Sequence, residues 1–195
     1  MSSDLYHNKY RIPSARATWH DYNGGAYFVT ICTRDMVHYF GEIVSGEMNM
    51  TEIGEYVQQC IKNIPQHNTY ANVPAFVVMP NHVHLIVIID DENADSICRD
   101  VPWRVSTFGK NETMQTIANQ QGRLSTMIGG FKQSVTRYAN ANSISFAWQT
   151  RFHDRIIRDH DEMNRIAEYI ENNVARWESD EFHNSNQNDS KAKAE

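Results

Sequence analysis

Two histidines, His82 and His84, stand in the run Phe76-Val77-Val78-Met79-Pro80-Asn81-His82-Val83-His84-Leu85-Ile86-Val87-Ile88-Ile89. Both flanks are apolar and rich in Val and Ile, which predicts two buried strands broken at Pro80-Asn81. Side chains alternate faces along a strand, so the two imidazoles project the same way from a rigid core element. So held, they are ready ligands for a divalent metal ion. Two histidines satisfied by hydrogen bonds on a polar sheet face would give the same spacing. A second pair lies in Glu168-Tyr169-Ile170-Glu171-Asn172-Asn173. Tyr169 and Asn173 are four apart, so on a helix they stack one turn above the other, beside the apolar stripe of Ile166 and Ile170. A tyrosine at a helix rim and an asparagine capping the C-terminus also fit that spacing. Two imidazoles and one amide carbonyl could bind a cation with positions left open, and mixed N and O donors suit Mg2+ or Mn2+ held partly through substrate oxygens. A phosphodiester polarised there is open to in-line attack by a hydroxyl. The phenol of Tyr169 would store the bond energy as a phosphotyrosine, and its conjugate base leaves well, so the step can reverse.

The elements that must position these groups follow from periodicity. Ala26-Tyr27-Phe28-Val29-Thr30-Ile31-Cys32-Thr33 predicts a central strand after a turn at Asn23-Gly24-Gly25. Residues 40–50 predict a hairpin turning near Ser45-Gly46. Thr51 caps a helix to about Ile64, with Ile53, Val57, Cys60, Ile61 and Ile64 on one face and Pro65 ending it. Residues 90–122 are polar and weakly periodic, a mobile insertion with a short helix near 113–120. Leu124, Met127, Ile128, Phe131, Val135 and Tyr138 recur at helix spacing to about Ala139. Phe152 to Ile157 reads as a strand, and Asp159 or Asp161 opens a last helix to about Trp177. Residues 178–195 are polar and read as a disordered tail. The fold class expected is therefore α+β: an antiparallel sheet of the ferredoxin type with helices packed on one face and the two strands around the histidines at its centre. Residues 1–177 make one domain.

Composition narrows the function. The chain has 195 residues, 41% of them hydrophobic, enough for one core. No stretch reaches membrane-spanning length and the N-terminus has no signal-peptide pattern. Cys32, Cys60 and Cys98 are odd in number and lack metal-type spacing, which points to reduced thiols in a cytoplasmic protein. The formal net charge of −6 argues against a uniformly basic nucleic-acid surface. The charge is uneven, however: residues 123–158 carry Arg123, Lys132, Arg137, Arg151, Arg155 and Arg158 against Asp154 alone, which suits either a phosphate-binding face or an ordinary solvated one.

Four blocks in order resemble a known family: Phe76 to Ile86, Phe131 to Arg137, Trp148 to Arg158, and Glu168 to Asn173. Together with Gly25 to Thr33, and spanning about residues 20–177, they are similar to the REP-associated tyrosine transposases. These belong to the HUH single-strand DNA endonuclease/transposase superfamily, with one catalytic tyrosine. The resemblance implies a ferredoxin-like core with His82 and His84 as the histidine pair, Tyr169 as the nucleophile and Asn173 as the third metal ligand. It implies that Lys132, Arg151, Arg155 and Arg158 meet DNA phosphates. It also implies single-stranded DNA bearing palindromic hairpins as substrate, and a homodimer as the working form. The chain departs from the family where Asn173-Val174 replaces the usual Asn-Pro, which extends the last helix. Tyr138 is a rival nucleophile, although its periodicity with Phe131 and Val135 favours core packing. Trp148 reads as a core anchor or a base-stacking group, and His153 and His160 as surface residues. A hairpin-binding module that does not cut, and a phosphoesterase using water, are the competing functions.

Overall fold

The computed structural model describes residues 24–89, 122–179 and 182. The N-terminal residues, nearly all of the 90–122 insertion with its short helix, Cys98, and the tail beyond Ser179 apart from Phe182 lie outside the described residues. The elements run β1 (Gly25–Cys32), β2 (Gly41–Val44), β3 (Glu47–Met50), α1 (Glu52–Lys62), α2 (Ile64–His67), β4 (Ala71–Val78), β5 (His82–Ile89), α3 (Gly122–Ala141), β6 (His153–Ile157) and α4 (His160–Asn172). Short 3-10 turns occupy Arg34–Met36 and Trp177–Ser179.

β1, β4, β5 and β6 form one sheet in the order β4-β5-β1-β6, with every neighbouring pair antiparallel. This is the α+β, ferredoxin-like arrangement expected from the sequence. β2 and β3 pair separately as the expected hairpin, turning through Ser45 and Gly46, both at positive φ. Apolar residues of β1 and β5 alternate as the pleat requires. Tyr27, Val29, Ile31, Val83, Leu85 and Val87 face α1 and α3, whose Ile53, Val57, Ile61, Leu124, Met127, Ile128 and Val135 complete the main core.

Three details differ from expectation. First, the helices do not share one face. Ile86 and Ile157 point the other way and pack with Met163, Ile166, Ala167 and Ile170 of α4. α1 links β1 to β4 and α3 links β5 to β6, each pair parallel within the sheet. Such crossovers keep one hand, so both helices fall on one face. α4 follows β6, the last strand among the described residues, is bound by no crossover among them, and covers the opposite side. Second, β4 is an edge strand rather than a central one, with a register shift between Asn72 and Ala75 around Pro74, a residue suited to an edge because it donates no ladder hydrogen bond. β5, which carries both histidines, is central, beside β1. Third, the helix ends move. Pro65 does not end α1, which already stops at Lys62, but sits in the first turn of α2, where its missing N–H is unneeded.

Asp159 is the N-cap of α4, its carboxylate accepting from the Glu162 N–H at 2.7 Å. α4 stops at Asn172 instead of running to Trp177. The Asn173 N–H turns back to the Ile170 carbonyl, the chain tightens through Arg176, and Trp177 is buried near His38 and His82. Beyond α4, Trp177–Ser179 forms a turn, and the Phe182 ring lies 4.6 Å from that of His82.

Candidate active site

β5 is fully flanked, so its side chains have fixed directions. His82, His84 and Ile86 share the face that α4 covers. His82 is 0% and His84 2% exposed. Burying two imidazoles is costly unless their nitrogens are satisfied, and neighbours supply partners. Asn81 Nδ2 donates to the Phe182 carbonyl at 3.0 Å, which turns Asn81 Oδ1 toward His82 Nδ1 at 2.8 Å. That oxygen only accepts, so His82 carries its proton on Nδ1 and presents a lone pair at Nε2. Thr30 Oγ1 lies 2.8 Å from His84 Nδ1. Thr30 is placed there by register, since it pairs with His84 across β1 and β5. Phe28, one pleat away, stacks on the His84 ring at 5.1 Å and 28°.

The two Nε2 atoms are 3.1 Å apart. With Thr30 accepting from His84 Nδ1, both lone pairs point into the same small volume and repel unless a proton or a cation lies between them. Two ligands at right angles around a cation, each at a metal–nitrogen distance of ~2.1 Å, would stand about 3.0 Å apart. Each imidazole is also held from behind by a hydrogen bond at its other nitrogen, as metal-binding histidines are. Burial, followed by the charges of His84 and His38, pushes His82 down to about 2, and burial pushes His84 down to about 4. Both rings are neutral at neutral pH, the state in which imidazole binds metal.

Tyr169 comes from α4, 85 residues along the chain, and its hydroxyl lies 3.3 Å from His84 Nε2. Its ring meets Phe28 edge-on at 6.1 Å. One turn further, Asn173 is 1% exposed, and among the described residues neither Oδ1 nor Nδ2 of its side chain has a hydrogen-bond partner. An orphaned buried amide is rare and costs stability. An amide oxygen available to a cation would account for it. Among the described residues no cluster of three His, Cys, Asp or Glu side chains could hold a metal ion. A cation here would therefore rely on His82 and His84, whose two Nε2 atoms fit it, with a further oxygen donor for which the buried amide of Asn173, one helical turn beyond Tyr169, is the candidate. A cavity of about 620 Å³ opens on the pair, lined by Phe28, Thr30, His84, Gln149, His153 and Tyr169 among others.

The other sequence candidates are not gathered at this point. Tyr138 stacks on Tyr56 at 3.8 Å and donates to Glu52 at 2.5 Å, so it belongs to the α1 and α3 layer on the far face of the sheet. Lys132 donates to the carbonyls of Gln149 and Thr150 at 2.6 and 3.2 Å. Arg155 forms an ion pair with Glu162 at 2.6 Å, and Glu162 also accepts from the Arg158 N–H. Arg151 and Arg158 are exposed on either side of β6. Trp148 is buried against Phe40, Phe131 and Phe146, as a core anchor. His160 is exposed at the start of α4; His153 is exposed too, but lines the cavity. Sequence reading missed Thr30, Asn81 and Phe182. Thr30 is a lone hydroxyl in an apolar strand, a usable signal; Asn81 was legible only as a turn residue, and Phe182 had no signal in its polar surroundings.

No family model matches the chain. Over 160 residues it is 34% identical to an uncharacterized protein of Haemophilus influenzae, a match covering 82% of this chain and 85% of that one. The chain belongs to the same family as that protein. Among solved structures it is similar to a REP-associated tyrosine transposase bound to a REP hairpin. The TM-score is 0.53 and the identity 16%, over 83% of this chain and 73% of that one. The likeness is one of fold: α+β, with a four-stranded antiparallel sheet.

Proposed function

We propose that this protein is a metal-dependent transposase or endonuclease that cuts and rejoins single-stranded DNA beside palindromic hairpins. The observation that carries the reading is the Tyr169 hydroxyl set 3.3 Å from the buried histidine pair. The shared fold with a hairpin-bound transposase supports it. His82, His84 and Asn173 would hold Mg2+ or Mn2+, which when bound supplies positive charge against the non-bridging oxygens of a phosphodiester. Phe28 packs edge-on against the Tyr169 ring, which lines the cavity, so on this reading the phenol oxygen would face the phosphorus of a bound strand. Attack forms the bond between that oxygen and phosphorus and breaks the bond from phosphorus to the 3′ oxygen. The products are a 5′-phosphotyrosine and a free 3′-OH, which takes up the proton lost by the phenol. Reversal by another 3′-OH rejoins strands. The exposed cations around β6 meet the DNA backbone. The same reading expects a cytoplasmic homodimer. Among the described residues no helix is long and apolar enough to cross a membrane.

The test is incubation with single-stranded oligonucleotides carrying palindromes and Mn2+, followed by denaturing electrophoresis and peptide mass spectrometry. The expected result is a covalent adduct on Tyr169 that disappears in Tyr169→Phe and persists in Tyr138→Phe. Cutting without an adduct would transfer the chemistry to water, and retention without cutting would make the protein a binding module.

A further inference from the structure

A second cleft, of about 670 Å³, lies between α3 and the segment 146–150. Its lining includes Arg34, Lys132 and Arg137, the polar side chains Gln133, Thr136, Asn140 and Gln149, and no Asp or Glu among the described residues. Gln133, Thr136, Arg137 and Asn140 recur at helix spacing, so one polar stripe of α3 forms its wall. Of the aromatic residues in its lining, Phe146 is half-buried and Trp148 is buried in the core. The segment is fixed in place: Gln149 N–H donates to the Cys32 carbonyl and Arg34 N–H to the Ala147 carbonyl, which extends the β1 ladder beyond β6.

The three cations are not equivalent. Lys132 is spent on the carbonyls of Gln149 and Thr150 and lies over the Trp148 ring at 5.9 Å, so it braces the segment. Arg34 and Arg137 are exposed, and among the described residues neither guanidinium has an acidic partner. Gln149 lines both this cleft and the cavity that holds His84 and Tyr169, so the two spaces adjoin at that residue. A cleft that sets guanidinium groups without an acidic partner among the described residues, together with amide side chains, beside the cavity of His84 and Tyr169 has the chemistry of a channel for single-stranded nucleic acid. Such cations track the backbone of a strand without regard to its sequence.

We infer that the cleft between α3 and residues 146–150 carries the single-stranded DNA flanking the scissile phosphate, with Arg34 and Arg137 contacting its backbone and Gln149 marking the crossing into the catalytic cavity. This rests on the function proposed above for the location of the scissile phosphate, but its own test needs no cleavage. An oligothymidylate of about twenty nucleotides is titrated with the full chain by fluorescence anisotropy at several salt concentrations.

Each lost backbone contact to a single strand lowers the slope of log affinity against log salt by about 0.7, so Arg34→Ala with Arg137→Ala should lower it by about 1.4. Both residues are exposed, so the variant should melt with the wild type. Lys62→Ala, at the end of α1, removes a charge elsewhere and should leave the slope unchanged. An unchanged slope in the double variant overturns the inference, as does an equal fall in Lys62→Ala. Failure of the wild type to bind at about 50 mM salt overturns it whatever the adduct assay shows. Loss of the slope in a protein that forms no tyrosine adduct would leave the channel standing and remove the proposed reaction.

Discussion

Asn173→Leu should make the metal-free protein more stable while destroying its response to metal. Asn173 is buried, and among the described residues both polar atoms of its side chain lack partners. Leaving buried polar groups unpaired costs about 1–3 kcal/mol, and replacing them by an apolar group of the same shape recovers that cost. Leucine branches at the same carbon and has the same number of heavy atoms, so overpacking is small. In a domain of this size each kcal/mol moves the melting temperature by about 2–4 °C, so the variant should melt roughly 2–12 °C higher in EDTA. Adding Mn2+ at about a hundred times its dissociation constant should stabilise the wild type by ~2.7 kcal/mol through binding to the native state. The variant, having lost the oxygen donor, should gain much less. Differential scanning calorimetry of both proteins, with EDTA and with Mn2+, reads all four values. A variant that melts at or below the wild type in EDTA would refute the account of Asn173 as an amide held without a partner. An undiminished Mn2+ shift would refute its role as a ligand.

Acid should destabilise the fold through the histidine pair. Both folded values lie below the ordinary 6.5, so between these limits the unfolded chain binds more protons, and stability is full above about pH 6.5 and falls as pH drops. His84→Gln should flatten the urea-measured decline between pH 6.5 and 5 by up to about 1.4 kcal/mol per pH unit, and an unchanged slope would contradict the burial. Gly54→Ala should reverse the usual sign for a helix, because a Cβ there would stand 2.1 Å from the Phe40 carbonyl oxygen. A loss of more than about 1 kcal/mol is expected in denaturant unfolding instead of a gain of similar size. Lys132→Met should lower the melting temperature, through the freed carbonyls of Gln149 and Thr150, by the equivalent of ~1–2 kcal/mol. Its effect on the salt slope for oligothymidylate should be smaller than that of Arg137→Ala, and the reverse order would make Lys132 the phosphate contact.

Much of the site could be read locally. That His82 and His84 share a face follows from the two-residue period of a strand, and that Tyr169 and Asn173 share one follows from the helical turn. The turn at Pro80-Asn81, the hairpin at Ser45-Gly46, the Asp159 cap and the apolar stripe of α3 are likewise short-range matters, settled by φ preferences and side-chain spacing within a few residues. The α+β class followed from the order of those elements.

What the sequence by itself determined is thus which residues travel together, because strand and helix periods are properties of the backbone. Only the tertiary structure decided which pairs meet. Nothing near Tyr169 or Tyr138 says which face of the sheet its helix will cover; crossover handedness commits α3 to one side, while α4, held by no crossover among the described residues, covers the other, where the histidines are. The partners that set the imidazoles, Thr30 and Asn81, depend on sheet register and on the chain returning as far as Phe182. The basic run of residues 123–158 looks uniform in sequence, yet it separates into a brace at Lys132, an ion pair at Arg155 and an open guanidinium at Arg137. Charge is a property of the residue, but its availability depends on which acids and carbonyls the fold brings within reach.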